Sequence, residues 1–274
     1  MMSDITLGQF FPGNSILHKI DPRVKIILSI AYIVSVFLSS SAASYILLFA
    51  FTMLIVFISG IKAKVIFKSV RPLVLVIILT SLINIFFTTG KTPLIDWRFI
   101  HIYAEGIVSA VFMVVRITCL LIGTSVLLTY TTSPIMLTDA IERLLSPLGY
   151  IKIPVHEFAM MMTIALRFIP TLIEETDKIM SAQKARGADF ESGKLTERAK
   201  ALVPVLIPLF ISSFRRADEL AVAMECRCYR GGNGRTKMTK LTLRYYDFLS
   251  LLMCAVFIAA LVMISKIYPI YSLV

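Results

Sequence analysis

Two short stretches of this sequence place a single arginine between small residues, in a pattern suited to binding another protein. The first is AQKARGADF, with Arg186 between Ala185 and Gly187; the second is AMECRCY, with Arg227 between Cys226 and Cys228. A guanidinium presents five N–H donors in a rigid fork, and small neighbours let another backbone approach it closely. Each stretch could therefore fit a groove on a partner.

Both arginines fall at the C-terminal ends of predicted amphipathic helices. The spacing of apolar residues predicts one helix over 171–187, with Gly187 as its stop, and another over 212–228. A cation in the last turn also complements the helix dipole, so one such arginine needs no partner. The two sites lie 41 positions apart (227 − 186), and their match leaves both explanations open.

No other motif completes a chemical site. The Cys226–Cys228 pair has no second cysteine pair or nearby histidine to complete a zinc site. The stretch GGNGRTK (231–237) has the wrong spacing for a P-loop, and VHEFAM has Met160 where a zinc protease needs its second histidine. We therefore expect a chain that is not an enzyme and binds no metal or cofactor of its own.

The composition indicates an integral membrane protein. Of 274 residues, 57% are hydrophobic, which exceeds the usual share in soluble domains. Five apolar segments approach the length of a spanning helix, about 20 residues: 24–40, 43–60, 71–88, 106–130 and 247–266. The predicted fold class is an all-α integral membrane protein with about five transmembrane helices and a cytoplasmic domain of amphipathic helices.

The loop charges predict the orientation and the domain organisation. The 61–71 loop carries four cations and no acid, whereas 89–105 is balanced, so the N-terminus and 131–246 are expected to be cytoplasmic. This gives a membrane domain at 1–130, a cytoplasmic domain at 131–246 and a last transmembrane helix within 247–274. The same rule explains the basic stretch 230–244, so a nucleic acid partner is not expected.

The 131–246 region also contains two apolar runs that look too short to span, 158–169 and 201–211. Pro204 and Pro208 are expected to kink or break the second run. Arg116 is the one clear charge deep in a predicted span. Arg116 either has a functional role or makes a structural hydrogen bond to backbone carbonyls of a neighbouring helix. No acidic partner is visible in the spans, which favours the structural explanation.

Several of these stretches resemble the transmembrane coupling (T) component of energy-coupling factor transporters, which import vitamins and trace metals. The stretch SILHKIDPRVKI (15–26) resembles the lead-in to the family's first span. LRFIPTLIEETDKIMSAQKARGADF (166–190) matches the family's first Ala-Arg-Gly coupling motif, and AMECRCYRGGNGRTK (223–237) resembles the second. The second departs from the pattern, because Cys226 and Cys228 stand where the family usually has Ala and Gly.

The resemblance implies a bacterial cell membrane scaffold whose 131–246 region is the coupling domain. Two cytoplasmic ABC-type ATPases, which bind ATP and Mg²⁺, would each receive one arginine-bearing helix. A membrane-embedded substrate-binding (S) component would carry the vitamin. Met160, Met161 and Met162 would suit contact with several S components, because methionine surfaces repack, although filling a core is the simpler explanation. A self-sufficient secondary transporter or channel is the alternative, and would need intramembrane acids and internal repeats that the sequence lacks.

Overall fold

The computed structural model describes residues 10–88, 93–97, 100–151, 153–190, 192, 194–231 and 241–267. These residues are predominantly helical, which confirms the predicted all-α membrane class. The helices are α1 (Ile16–Lys19), α2 (Pro22–Leu38), α3 (Ala42–Ser59), α4 (Ala63–Val70), α5 (Val74–Phe87), α6 (Ala104–Thr124), α7 (Pro134–Leu145), α8 (Val155–Ala185), α9 (Leu195–Cys226) and α10 (Tyr245–Ile267). A short antiparallel pair, β1 (Pro93–Trp97) and β2 (Ile100–Tyr103), joins α5 to α6 and was not predicted.

Five described helical stretches are long and apolar enough to cross a membrane. They are Ala42–Ser59, Ala63–Phe87, Ala104–Tyr130, Val155–Ala185 and Tyr245–Ile267. Four coincide with predicted spans. The fifth, α8, contains the 158–169 run that was expected to be too short, and this expectation is wrong because the helix continues for 31 residues. Its mean hydropathy is the lowest of the five.

The first predicted span corresponds to α2, which has 17 residues and is shorter than the five candidate spans. It nevertheless begins and ends level with α10, a 23-residue candidate span. At one end the Asp21 backbone N–H donates to Asp247 Oδ1 at 2.7 Å. At the other end the Ser40 and Ser265 hydroxyls are hydrogen-bonded to each other. The two helices therefore cover the same depth side by side.

The chain divides into two compact units. We call residues 9–137 with 240–274 the membrane unit, and residues within 138–239 the α8–α9 unit. The division falls inside α7, so the chain leaves the membrane unit after 137 and re-enters it at 240. The core of the described structure lies mostly in the membrane unit.

Three helices of the membrane unit meet around Tyr32. Its hydroxyl bonds to Thr52 Oγ1 on α3 at 2.7 Å and donates to the Cys119 carbonyl on α6 at 2.9 Å. Gly123 on α6 lies against the tyrosine ring, where a Cβ would come within 2.3 Å of a ring carbon. A side chain at this glycine would therefore displace Tyr32 and its two hydrogen bonds.

Arg116 ties α6 to the end of α2, as the structural explanation predicted. Its guanidinium donates to the Ser39 carbonyl at 3.0 Å and to the Tyr45 hydroxyl. It also lies 5.4 Å from the centre of the Tyr45 ring, within cation–π range. The Ser39 carbonyl follows the last turn of α2, where a cation complements the helix dipole.

The helices of the α8–α9 unit are longer than predicted. The helix expected at 171–187 begins at Val155, and the helix expected at 212–228 begins at Leu195. Both pass through prolines, Pro170 in α8 and Pro204 and Pro208 in α9. Of the expected kink or break in α9, the break does not occur: each proline removes one i→i−4 bond, and the residues on both sides remain helical.

Candidate docking site

Arg186 is the C-cap residue of α8 and is followed by a left-handed turn. Gly187 has φ +90°, and its N–H donates to the Lys184 carbonyl at 3.0 Å. The Ala188 N–H donates to the Gln183 carbonyl, also at 3.0 Å. These two bonds define a Schellman motif, in which a left-handed residue satisfies the last carbonyls of the helix. The predicted helix stop at Gly187 is thus confirmed.

Arg227 occupies the same position at the end of α9. The Cys228 N–H donates to the Glu225 carbonyl at 2.8 Å, and the Tyr229 N–H donates to the Met224 carbonyl at 3.0 Å. Cys228 has φ +56°, and among the described residues it alone is a non-glycine with positive φ. The second helix therefore ends in the same Schellman motif, built on a cysteine.

The two arginines accordingly have nearly the same backbone conformation. Arg186 has φ −87° and ψ 4°, and Arg227 has φ −90° and ψ 13°. Ala185 and Cys226 are each the last helical residue, and Gly187 and Cys228 are each the left-handed residue that follows. The two motifs therefore differ more in residue type than in backbone conformation. Sequence reasoning missed that Cys228 takes the strained position, although its alignment with Gly187 was the signal for it.

All six residues of the two motifs are exposed in the described structure. Within the described ranges, neither Arg186 nor Arg227 has a side-chain hydrogen bond or an ion pair. The ten donors of the two forks are therefore available to an acceptor outside this chain. If each arginine only complemented the dipole of its own helix, the two would not need the same backbone motif around them.

An ion pair between α8 and α9 marks a place where the two helices meet. Arg216 donates to Glu175 at 2.8 Å, with both side chains partly exposed. Each partner lies eleven residues before the arginine of its own helix (186 − 175 and 227 − 216). At about 1.5 Å per residue, each arginine therefore lies about 16 Å along its helix from the ion pair.

The connection between the helices shows that they do not run parallel. Parallel packing through the ion pair would separate Ala185 from Leu195 by about 46 Å along the helix axes. The ten residue steps between them reach at most about 36 Å when fully extended. The two C-terminal ends therefore diverge from the crossing point and present their arginines at separate places.

The residues around α7 and the start of α8 form no metal site. His156 Nδ1 lies 3.0 Å from Glu142 Oε1, so the histidine of VHEFAM is paired within the unit. No group of histidine, cysteine or acidic side chains among the described residues is arranged to hold a metal ion. Cys226 and Cys228 are exposed free thiols, and Cys119 and Cys254 are buried in apolar surroundings, where sequence analysis placed them.

The three consecutive methionines lie near the start of α8. Met161 and Met162 are exposed, 58% and 41% respectively, and Met160 is partly buried. Filling the core of this chain therefore does not account for Met161 and Met162. They add apolar surface to a helix whose only buried residue is Ala159.

Comparisons with known proteins show which sequences this chain is similar to. A family model described as cobalt transport protein (CbiQ) matches residues 13–238. The energy-coupling factor transporter transmembrane protein EcfT of Clostridium kluyveri is 54% identical over 269 residues, or 98% of this chain and 99% of that protein. The protein of the same name from Ruminiclostridium cellulolyticum is 53% identical over 268 residues, covering 98% and 100%. The Bacillus subtilis protein is 46% identical over 241 residues, covering 88% and 91%.

The matches extend over the membrane helices and over both arginine motifs. A transmembrane component implies a transporter complex with other subunits, which suits the unpaired arginines at two diverging helix ends. With such identity over nearly the full length, the chain belongs to the family of transmembrane components of energy-coupling factor transporters.

Proposed function

We propose that this chain is the scaffold that joins two cytoplasmic ABC-type ATPases to a membrane-embedded substrate-binding (S) component. Arg186 docks on one ATPase and Arg227 on the other, and movement driven by ATP passes through α8 and α9 to the S component. The observation that carries the proposal is the matched pair of C-cap arginines, exposed and unpaired in the described structure. ATP and Mg²⁺ are bound by the partner subunits, and this chain holds no cofactor.

The docking chemistry follows from the two Schellman motifs. Each motif turns the chain away directly after the arginine, so the guanidinium stands at the tip of its helix. The side chains of Ala185 and Cys226 are small, and Gly187 has no side chain, so a groove wall can approach the fork closely. Cys228 adds a side chain at the second site but keeps the backbone turn. Carboxylates lining an ATPase groove would accept bidentate hydrogen bonds from such a fork.

The S component has a different contact surface in this proposal. Met161 and Met162 lie on the exposed face of α8, with Met160 beside them. Unbranched thioether side chains change rotamer at low cost and so accommodate partners of different shape. Contact with this surface would let one scaffold serve several S components that carry different vitamins.

The orientation in the bilayer follows from the loop charges in this proposal. The cations of the 61–71 loop support a cell-membrane orientation with the N-terminus and 131–246 in the cytoplasm. In this arrangement α2, α3, α4–α5, α6 and α10 are the spans. Although α8 is long enough to cross, its second half carries acids and lysines, so it lies outside the hydrocarbon or along its surface.

Charge reversal at each helix end tests the proposal. Arg186→Glu and Arg227→Glu should each weaken ATPase association by about 150- to 4,000-fold, because breaking a buried charge pair costs about 3–5 kcal/mol. The assay is co-purification of the two ATPases with the variant chain, together with riboflavin uptake by the complex reconstituted with a riboflavin-binding S component. Arg198→Glu is the matched control, since Arg198 is an exposed arginine of α9 far from its C-terminus.

Normal assembly and uptake in both reversed variants would refute the docking assignment. A chain that transports solute in vesicles without any ATPase would support a self-sufficient transporter instead. Loss at only one arginine would refute the proposal that both helix ends dock.

A further inference from the structure

The stretch Asp-Pro-Arg-Val-Lys at 21–25 forms a buried polar cluster at one end of the membrane unit. Asp21 is 5% exposed, Lys25 2% and Asp247 1%, although all three are charged residue types in a mostly apolar unit. Burying such groups is unfavourable unless their hydrogen bonds are satisfied. We call Asp21, Arg23, Lys25 and Asp247 the basal cluster, and its contacts show what it holds.

Lys25 holds the segment through which the chain leaves the membrane unit. Its Nζ donates to the Thr131 carbonyl at 2.8 Å and to Thr132 Oγ1 at 3.2 Å. Thr131 is the C-cap of Ser125–Tyr130, a wider π-type continuation of α6. A buried ammonium at this helix end satisfies a terminal carbonyl and complements the dipole. The bond fixes the chain six residues before it enters the α8–α9 unit.

Arg23 holds the segment through which the chain re-enters the membrane unit. One guanidinium nitrogen donates to the Leu241 carbonyl at 3.2 Å and to Asp21 Oδ2 at 2.8 Å, and Nε donates to Asp21 Oδ1 at 3.1 Å. The bidentate pair with Asp21 fixes the orientation of the guanidinium. The remaining bond fixes residue 241, directly after the chain re-enters the membrane unit.

Asp247 joins the two sides of the basal cluster. Its Oδ1 accepts from the Asp21 N–H at 2.7 Å, and its Oδ2 accepts from the Arg244 N–H at 2.6 Å. One carboxylate therefore caps the start of α10 and also binds the residue that caps α2. The bond to Asp21 connects residues 226 positions apart, so sequence periodicity gave no indication of it.

We propose that the basal cluster is the mechanical anchor of the transporter, with Arg23 and Lys25 as positioning residues for coupling. Lys25 and Arg23 hold the chain beside the start of α2, at Thr131 and Thr132 before the crossing at 137/138 and at Leu241 after the crossing at 239/240. A displacement that reaches Thr131, Thr132 or Leu241 is therefore passed through these bonds to the start of α2, and through Asp247 to α10. The inference rests on the proposed function, since it assumes that movement arises in the α8–α9 unit.

Substitutions at the two cations test the anchor. Lys25→Met removes the bonds to Thr131 and Thr132, and Arg23→Gln removes the guanidinium that reaches Leu241. In the complex reconstituted with both ATPases and a riboflavin-binding S component, each should lower riboflavin uptake per ATP hydrolysed by about 2- to 30-fold. Lys19→Met is the matched control, because Lys19 is an exposed lysine of α1, six residues earlier in the same stretch.

Hydrogen exchange supplies a readout that a general loss of stability would not imitate. Lys25→Met should speed exchange selectively at 131–137, and Arg23→Gln at 241–247, while amides at the centre of α3 stay protected. Thr132→Val removes a single hydroxyl and serves as a milder variant if Lys25→Met does not fold. It should raise exchange at 131–137 and lower coupling by a smaller factor.

The outcomes separate this inference from the proposed function. If Arg186→Glu abolishes uptake but the cluster variants keep wild-type uptake per ATP, docking stands and the anchor is wrong. If the variants only reduce the amount of complex and leave uptake per ATP unchanged, the cluster serves folding alone and the inference is overturned. If the wild-type chain neither binds the ATPases nor supports uptake, it is the proposed function that fails.

Discussion

The left-handed conformation of Cys228 predicts that glycine at this position would stabilise the turn that ends α9. A non-glycine residue in this conformation is disfavoured by about 1–2 kcal/mol, because its Cβ crowds the following carbonyl oxygen. Glycine removes that strain, but its greater freedom in the unfolded chain offsets about 0.4–1 kcal/mol. Cys228→Gly should therefore stabilise the closing turn by about 0.5–1 kcal/mol.

The turn at α8 supplies the reciprocal experiment. Gly187 has φ +90°, and a Cβ built there meets no atom within 4 Å. The cost of a side chain at this position is therefore one of backbone conformation and not of packing. Gly187→Cys should weaken the turn by the same amount that Cys228→Gly strengthens its counterpart.

Amide hydrogen exchange measures both effects at the bonds that close the turns. The Tyr229 N–H donates to the Met224 carbonyl, and the Ala188 N–H donates to the Gln183 carbonyl. After correction for intrinsic rates, Tyr229 exchange should slow by about 2- to 5-fold in Cys228→Gly. Ala188 exchange should accelerate by a similar factor in Gly187→Cys.

Cys226→Ala is the matched control, because Cys226 is helical and its change does not alter a left-handed residue. It should leave the Tyr229 amide nearly unchanged. Faster exchange at Tyr229 in Cys228→Gly would refute the reasoning, since it would mean that Cys228 is not strained. If docking uses the backbone shape, ATPase binding by Cys228→Gly should equal or exceed that of the wild type.

Two further predictions concern packing and partner choice. Gly123→Ala should destabilise the membrane unit by about 1–3 kcal/mol, because the new Cβ would overlap the Tyr32 ring. Denaturant titration in detergent measures this loss of stability. Gly149→Ala is the control and should be neutral, because the space around Gly149 is open. Exchanging Met160, Met161 and Met162 for leucine should reduce uptake of some vitamins more than others. Equal retention of uptake through several S components would remove the idea that these methionines adapt to different partners.

The sequence predicted the features that depend on local pattern. Apolar segments of nearly 20 residues identified the helices of the membrane unit, and Gly187 marked the end of α8. The helix starts in the α8–α9 unit were wrong because the apolar runs 158–169 and 201–211 were read apart from the amphipathic stretches that follow them, whereas each pair forms one continuous helix. A proline removes only its own hydrogen bond, and a long helix keeps the others.

The contacts that shape the sites could not be predicted from one sequence. The bond between Asp21 and Asp247 joins positions 226 residues apart, and nothing local to either residue indicates it. The ion pair between Glu175 and Arg216 is likewise a consequence of how two helices cross. The backbone strain at Cys228 could have been predicted from the sequence, because Cys228 follows Arg227 as Gly187 follows Arg186.

The equal spacing on α8 and α9 has a consequence for how sequences of this kind can vary. Eleven residues separate Glu175 from Arg186, and eleven separate Arg216 from Arg227. Inserting one residue in either interval would turn its arginine by about 100° around the helix axis and move it about 1.5 Å outward. Substitutions that keep the helix leave that geometry intact, whereas a change in length would point one fork away from the acceptor that the docking proposal assigns to it. The relative placement of the two arginines thus depends on the number of residues in each interval more than on their identity.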